Sequence, residues 1–301
     1  MNDISPYNPL AEVFGYPISN ETDEARTHRN NKFCPYHNIT AKCTKVDKID
    51  PLGVCTMYHK STPVITCPVR FRQNWAMISD AAKFFFGDTS SYLALPEIRL
   101  IDKNGRAAGN IDYVLVQHDD RGRILDFASL EVQAVYISGT IRGAFRTYME
   151  TQSPVFEWRG VTKFPRPDYL SSSNKRLIPQ MLTKGGIFKQ WAKKQAVAVQ
   201  TTFFKTLPDL VEVLPEEADL AWLLYDLIPS EDGLKYILTH TRTVYTQFET
   251  ALLKFTAPEA GDISQFVKGL QKEVDNKLTV RPQSARDFEN LLSVNDGGED
   301  E

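Results

Sequence analysis

The 301 residues carry 35 Lys and Arg against 38 Asp and Glu, a net charge of -3, so no whole-molecule positive field advertises a nucleic-acid partner. Such a partner would have to be met by a local basic surface. Apolar residues make up 42% and charged residues 24%, enough for one sizeable core with a small appendage. No apolar run approaches the ~20 residues that cross a bilayer. The N-terminal MNDISPYNPLAEVFGYP has no charged-then-apolar leader, so the expected location is a bacterial-type cytosol, cytoplasmic.

In chain order, residues 1–75 are turn-rich and hold all four cysteines, Cys34, Cys43, Cys55 and Cys67. No C-x-x-C pair occurs, and two disulfides, unrelated thiols and one four-thiolate site all compete. A reducing cytosol argues against disulfides, and unrelated thiols would not exhaust the chain's whole supply in one short stretch. A tetrahedral four-cysteine site is therefore favoured, with His37 and His59 as possible substitute ligands. Thiolate softness admits zinc or iron, and spacing alone favours zinc.

Residues 76–140 read as a helix followed by a strand meander, with strands expected at 95–101, 111–117 and 124–136. Lys103-Asn104-Gly105 and Asp119-Asp120-Arg121-Gly122 supply the hairpin turns. Residues 159–205 hold ten Lys and Arg against one acid, Asp168. Within them Arg176, Gln180 and Lys184 recur at four-residue spacing, which predicts one helical face, although Pro179 suggests a start or kink. Lys189, Lys193 and Lys194 extend the charge, and Arg142 and Arg146 add to it upstream. Basic side chains of this kind contact phosphates, while Arg and Gln also read base edges.

The next stretch is acidic, and its run Ala221-Trp222-Leu223-Leu224-Tyr225 reads as a buried strand. A late amphipathic helix, capped by Asp262, is expected to lay Ile263, Phe266, Val267, Leu270 and Val274 into the core. The pattern gives an α/β fold with a mixed sheet and a metal-binding N-terminal subdomain (1–75). A main domain (76–294) and a disordered acidic tail (295–301) complete the chain.

Alternation along a strand puts Glu131 and Gln133 on one face and Leu130, Val132 and Ala134 on the other. Asp112 sits in the preceding apolar strand, Asn110-Ile111-Asp112-Tyr113-Val114, where a buried charge needs a cation or donors beside it. Antiparallel neighbours would bring Asp112 to Glu131, two oxygen ligands for a hard divalent ion, with Gln133 one period away to hold an attacking water. Glu97, near the start of the first strand, is placed to reach the same ion. By pattern alone, Glu-Val-Gln is also an ordinary half-buried strand fragment.

The order of these features resembles the PD-(D/E)xK nuclease superfamily and, more narrowly, the NotI family of type II restriction endonucleases. The likeness rests on Glu97 fifteen residues before Asp112, Glu131-Val132-Gln133, the four upstream cysteines, and Arg176, Gln180-Met181 and Lys184 downstream. It implies a restriction-endonuclease-like core and Mg2+-dependent cleavage of double-stranded DNA at a palindromic site by a homodimer. Asp112 and Glu131 would be metal ligands, Gln133 and Glu97 further catalytic residues, and Arg142, Arg176, Gln180, Lys184 and Lys189 DNA contacts. It also implies a single structural iron in the four-cysteine site, with zinc as the alternative. Gln133 stands where the superfamily carries Lys, so no ammonium is expected to polarise the water. A non-cleaving metal-containing DNA-binding protein and a less specific repair or defence nuclease remain as other readings.

Overall fold

The computed structural model describes residues 8–37, 41–88, 91–155, 164–257 and 260–279; the acidic tail lies outside them. The central sheet has six strands in the order β12-β11-β10-β7-β6-β5. β5 (Tyr92–Ile101), β6 (Ala107–His118) and β7 (Ile124–Gln133) form the expected antiparallel meander. At its turns the carboxylates of Asp102 and Asp119 each accept two backbone N–H groups, and Gly105 and Gly122 take positive φ. The third strand is shorter than expected. After Gln133 the chain swings toward the N-terminal sheet, where Val135 N donates to Ile65 O at 2.9 Å. Tyr136–Ser138 then forms a separate strand, β8, paired with β9 (Arg166–Asp168).

β10 (Gln195–Gln200) runs parallel to β7 and to β11 (Leu220–Pro229), and β12 (Tyr236–Thr246) closes that edge antiparallel to β11. The sheet is mixed, as expected. Alternation in β11 turns Ala221, Leu223 and Tyr225 toward the layer of helix α2 (Ala76–Phe86), while Trp222 and Leu224 meet Leu177, Phe203 and Phe248 on the other side. Both faces are covered, which is why this strand is apolar at every position from 220 to 225. The second layer consists of a composite helix over residues 169–190 and the helix Phe248–Thr256.

The cysteine-bearing residues build their own sheet, ordered β2-β1-β3-β4, from β1 (Leu10–Val13), β2 (Tyr16–Pro17), β3 (Val54–His59) and β4 (Thr62–Ile65), with helix α1 (Asp23–Asn31) alongside. Leu10, Val13, Phe14 and Val54 pack against Ile141, Ala144, Phe145 and Tyr148 of helix α3 (Ile141–Thr151). A fully buried ion pair, Arg70 Nε to Glu12 Oε2 at 2.9 Å, fastens β1 to the turn that follows β4. The Gln200 side chain bonds Ile65 N and Pro63 O, both at 2.8 Å, and so docks β4 onto the end of β10.

The chain divides after Thr256, with both sheets in the first compact unit. In the second, Asp262 caps the helix Ile263–Thr279 by accepting from Ser264 N at 2.8 Å. The stripe expected in the core is instead exposed, with Phe266 at 68%. Amphipathic spacing reports that a helix has an apolar face, and it does not report what covers that face. Among the described residues no helix is long and apolar enough to cross a membrane.

Candidate active site

The β6–β7 ladder is regular up to the pair Tyr113↔Leu130 and then opens. One residue further, Asp112 and Glu131 face each other in the same register. Here the Asp112 side chain replaces the backbone acceptor, taking Val132 N on Oδ2 at 2.8 Å. Asp112 thereby gains a fixed rotamer beside Glu131, on the sheet face opposite α2.

Glu131 is held by its surroundings at every side. Burial and the negative charge of Asp112 push its carboxyl up to about 8, and Lys184 opposes that rise. Lys184 Nζ donates to Glu131 Oε2 at 2.6 Å and to Asn110 O at 2.8 Å. Glu131 Oε1 is buried and accepts from no donor group, with the Asp112 carboxyl as its neighbour. Gln133, buried at the end of β7, donates its side-chain N–H to Ala134 O. Asp112 and Gln133 line a cavity of about 210 Å³ with Thr66, Pro68, Arg176 and Gln180. Arg176 lies over the Tyr136 ring at 4.5 Å from its centroid, at the edge of this cavity.

The remaining sequence-selected residues divide. Glu97 lies across from Asp112, between the ladder pairs Pro96↔Tyr113 and Ile98↔Ile111, where its φ of +54° interrupts the strand, and it lines a cavity with His37, Arg72 and Tyr113. Lys189 pairs with Asp219 at 2.6 Å, away from the Asp112 cavity. Arg142, on α3, lies 3.9 Å from Asp50. Arg176 and Gln180 are exposed, but Lys184 leaves the row expected of them and turns inward with its side chain 8% exposed. The segments Ser173–Leu177 and Met181–Gly185 are π-helical, and their wider turns break the four-residue spacing. The expectation that the site lacks an ammonium is therefore corrected. Lys184 supplies one from a helix that crosses the strand, which a motif read along one strand does not reveal.

The four cysteines are free and line a single cavity of about 290 Å³. Backbone N–H groups of Tyr36 and His37 point to the Cys34 sulfur, and those of Thr44 and Lys45 to Cys43, the donors a thiolate requires. Burial and neighbouring thiols push Cys34 up to about 12 and Cys55 well above its ordinary range. Among the described residues no group of three or more His, Cys, Asp or Glu side chains is placed to hold a metal ion, so the expected N-terminal metal-binding subdomain is not shown. Cys67 lies between Thr66 and Pro68, so the thiol cavity and the Asp112 cavity share a wall.

A family model described as Restriction endonuclease NotI matches residues 12–238, about three quarters of the chain. The chain belongs to the NotI restriction endonuclease family. No curated protein gives a match. The matched span covers all four cysteines, both central carboxylates, Gln133 and the composite helix, so the features singled out above fall within the NotI-family region. Membership carries the general activity of a site-specific deoxyribonuclease acting on double-stranded DNA.

Proposed function

We propose that this chain is a type II restriction endonuclease that cuts at a specific, palindromic site by Mg2+-dependent phosphodiester hydrolysis. One observation carries the reading: Asp112 and Glu131 stand side by side where β6 and β7 part, and one buried Glu131 oxygen accepts from no donor group. Two adjacent carboxylates, with the Asp112 charge disfavouring the ionised form of Glu131, fit a hard divalent cation, which relieves the repulsion. When bound, Mg2+ supplies Lewis acidity, lowering the pKa of a water and neutralising charge at the scissile phosphate.

The side chains supply the rest. Asp112, fixed by Val132 N, and Glu131, fixed by Lys184, present oxygens that need not reorganise. Gln133 has its amide N–H committed to Ala134 O, leaving the side-chain oxygen to accept from the attacking water and orient it. Arg176 and Gln180, at the cavity and exposed, are the proposed DNA contacts nearest the chemistry, with Arg142 contributing from α3. A two-fold homodimer would bring two such sites to the two strands of a palindrome.

For the cysteines we propose one structural iron ion bound by Cys34, Cys43, Cys55 and Cys67, with zinc as the alternative. Their shared cavity and the N–H groups aimed at sulfur support thiolate ligation. A metal there would fix Thr66 and Pro68, and through them one wall of the cleft.

Plasmid digestion with and without Mg2+, followed by sequencing of the ends, tests the function. Discrete fragments that require Mg2+ are expected, and a smear would argue for a non-specific nuclease. Asp112→Ala and Glu131→Ala should each abolish cutting while DNA affinity stays within about tenfold of the parent, since few phosphate contacts are altered. Retained cleavage by either variant would sink the assignment.

A further inference from the structure

We infer that Lys184 is a positioning residue of the catalytic centre, delivering from the helix layer the ammonium that Gln133 does not provide from the strand. The inference rests on the hydrolytic reading above. Two local devices serve this one side chain. It sits in the π-helical segment Met181–Gly185, a rare geometry concentrated at functional sites. Its neighbour Gly185 lets the helix settle onto the sheet: a Cβ there would stand 2.6 Å from the Phe248 ring and 2.8 Å from Gln195 Oε1. On β6, Gly109 takes a φ of +112° that favours glycine, and the lysine stem runs beside it.

The ammonium that arrives is fully engaged. It gives 2.6 and 2.8 Å hydrogen bonds to Glu131 Oε2 and Asn110 O, with 8% of the side chain exposed. A lysine meant for DNA phosphates keeps its head in solvent, as Lys175 does nearby. Stability alone is a poor explanation, because buried ion pairs are often replaceable by apolar side chains at little cost. The pairing instead fixes one Glu131 oxygen and leaves the other, Oε1, without a donor group beside Asp112, and it sets one positive charge against two carboxylates.

The test uses the full chain carrying Lys184→Met or Lys184→Arg, each checked for folding by thermal melting. Single-turnover plasmid cleavage in Mg2+ should fall about 100-fold or more in Lys184→Met, the scale of loss from a misplaced catalytic group. Lys184→Arg should recover part of it. Affinity for a linear plasmid fragment in EDTA should stay within about twofold, with an unchanged salt slope. As a readout independent of cleavage, acetylation mapped by mass spectrometry should spare Lys184 but modify Lys175, and Glu131→Ala should remove the protection. The inference is overturned if Lys184→Met cuts within about threefold of the parent, a loss too small for a displaced group. It is equally overturned if affinity drops with a shallower salt slope, or if Lys184 reacts as fast as Lys175. Should Lys184→Met not fold, the arginine variant and the acetylation pattern decide. A parent protein that cuts nothing in Mg2+ overturns the hydrolytic reading and this assignment together; a cleaving parent with an unaffected Lys184→Met overturns this assignment alone.

Discussion

Glu131 is the residue at which the site's electrostatics become measurable. Its carboxyl sits at about 8 in the folded chain, raised by burial first and by Asp112 second, against an ordinary 4.5. In the unfolded chain it would ionise near that ordinary value. Between the two values the folded protein therefore holds more protons than the unfolded one, and stability falls as pH rises. The contribution is fully present below the lower value and lost as pH passes through the upper one. Calorimetric melting in EDTA at about pH 5.5 and about pH 8.5 should show a drop for the parent and a clearly smaller one for Glu131→Gln. Equal drops in the two proteins would argue that the carboxyl is not held in this environment. The sequence marked Glu131 and Asp112 correctly as neighbours, because the antiparallel register of β6 and β7 follows from the one short turn between them. It could not mark Lys184 as the third charge, because that contact spans 53 residues.

At the scale of elements, the composite helix over residues 169–190 is the piece whose conformation sequence reading misjudged. Four-residue spacing put Arg176, Gln180 and Lys184 in one row, and two π-helical segments send the last of them inward. Its closeness to the sheet depends on Gly185, whose missing Cβ leaves room for Phe248 and for Gln195, the latter donating to Gly185 O at 3.1 Å. Gly185→Ala should therefore cost about 1–3 kcal/mol, the usual range for overpacking a closed interface. A urea titration checks it, and an unchanged midpoint would mean that the helix can ride up without penalty. β11 shows the opposite case. Its apolar run was legible as a buried strand, because a strand covered on both faces needs no polar positions.

For the whole molecule, the arrangement of the two sheets matters most. The cysteine-bearing residues share an apolar cluster with α3, and β4 is docked on β10 through Gln200. The thiol cavity adjoins the Asp112 cavity, the proposed catalytic cleft, through the Thr66–Pro68 wall. On the proposed structural-ion reading, removing the ion should accordingly reach beyond the cysteines. Elemental analysis is expected to give one metal ion per chain, with iron colouring the protein. Chelation under reducing conditions should lower the melting temperature and weaken DNA binding together, since ligand binding to the folded state alone is itself stabilising. A stable, fully binding protein without metal would remove the structural role, and a colourless one containing stoichiometric zinc would replace iron.

Local sequence was enough to specify the meander, its turns, the buried β11, the Asp262 cap and the facing pair Asp112 and Glu131. Each of these follows from short-range periodicity or from the chemistry of a few adjacent residues. The positions of Glu97 and Lys184 were settled by the folded chain instead. Glu97, at a positive φ across from Asp112, came to line a cavity with His37, Arg72 and Tyr113, and a π-helical segment carried Lys184 across to Glu131. Folding also left the stripe from Ile263 to Val274 exposed and set the cysteine cavity against the cleft. Alternation along a strand fixes which way a side chain points, but what it meets is set by packing between segments far apart in the chain.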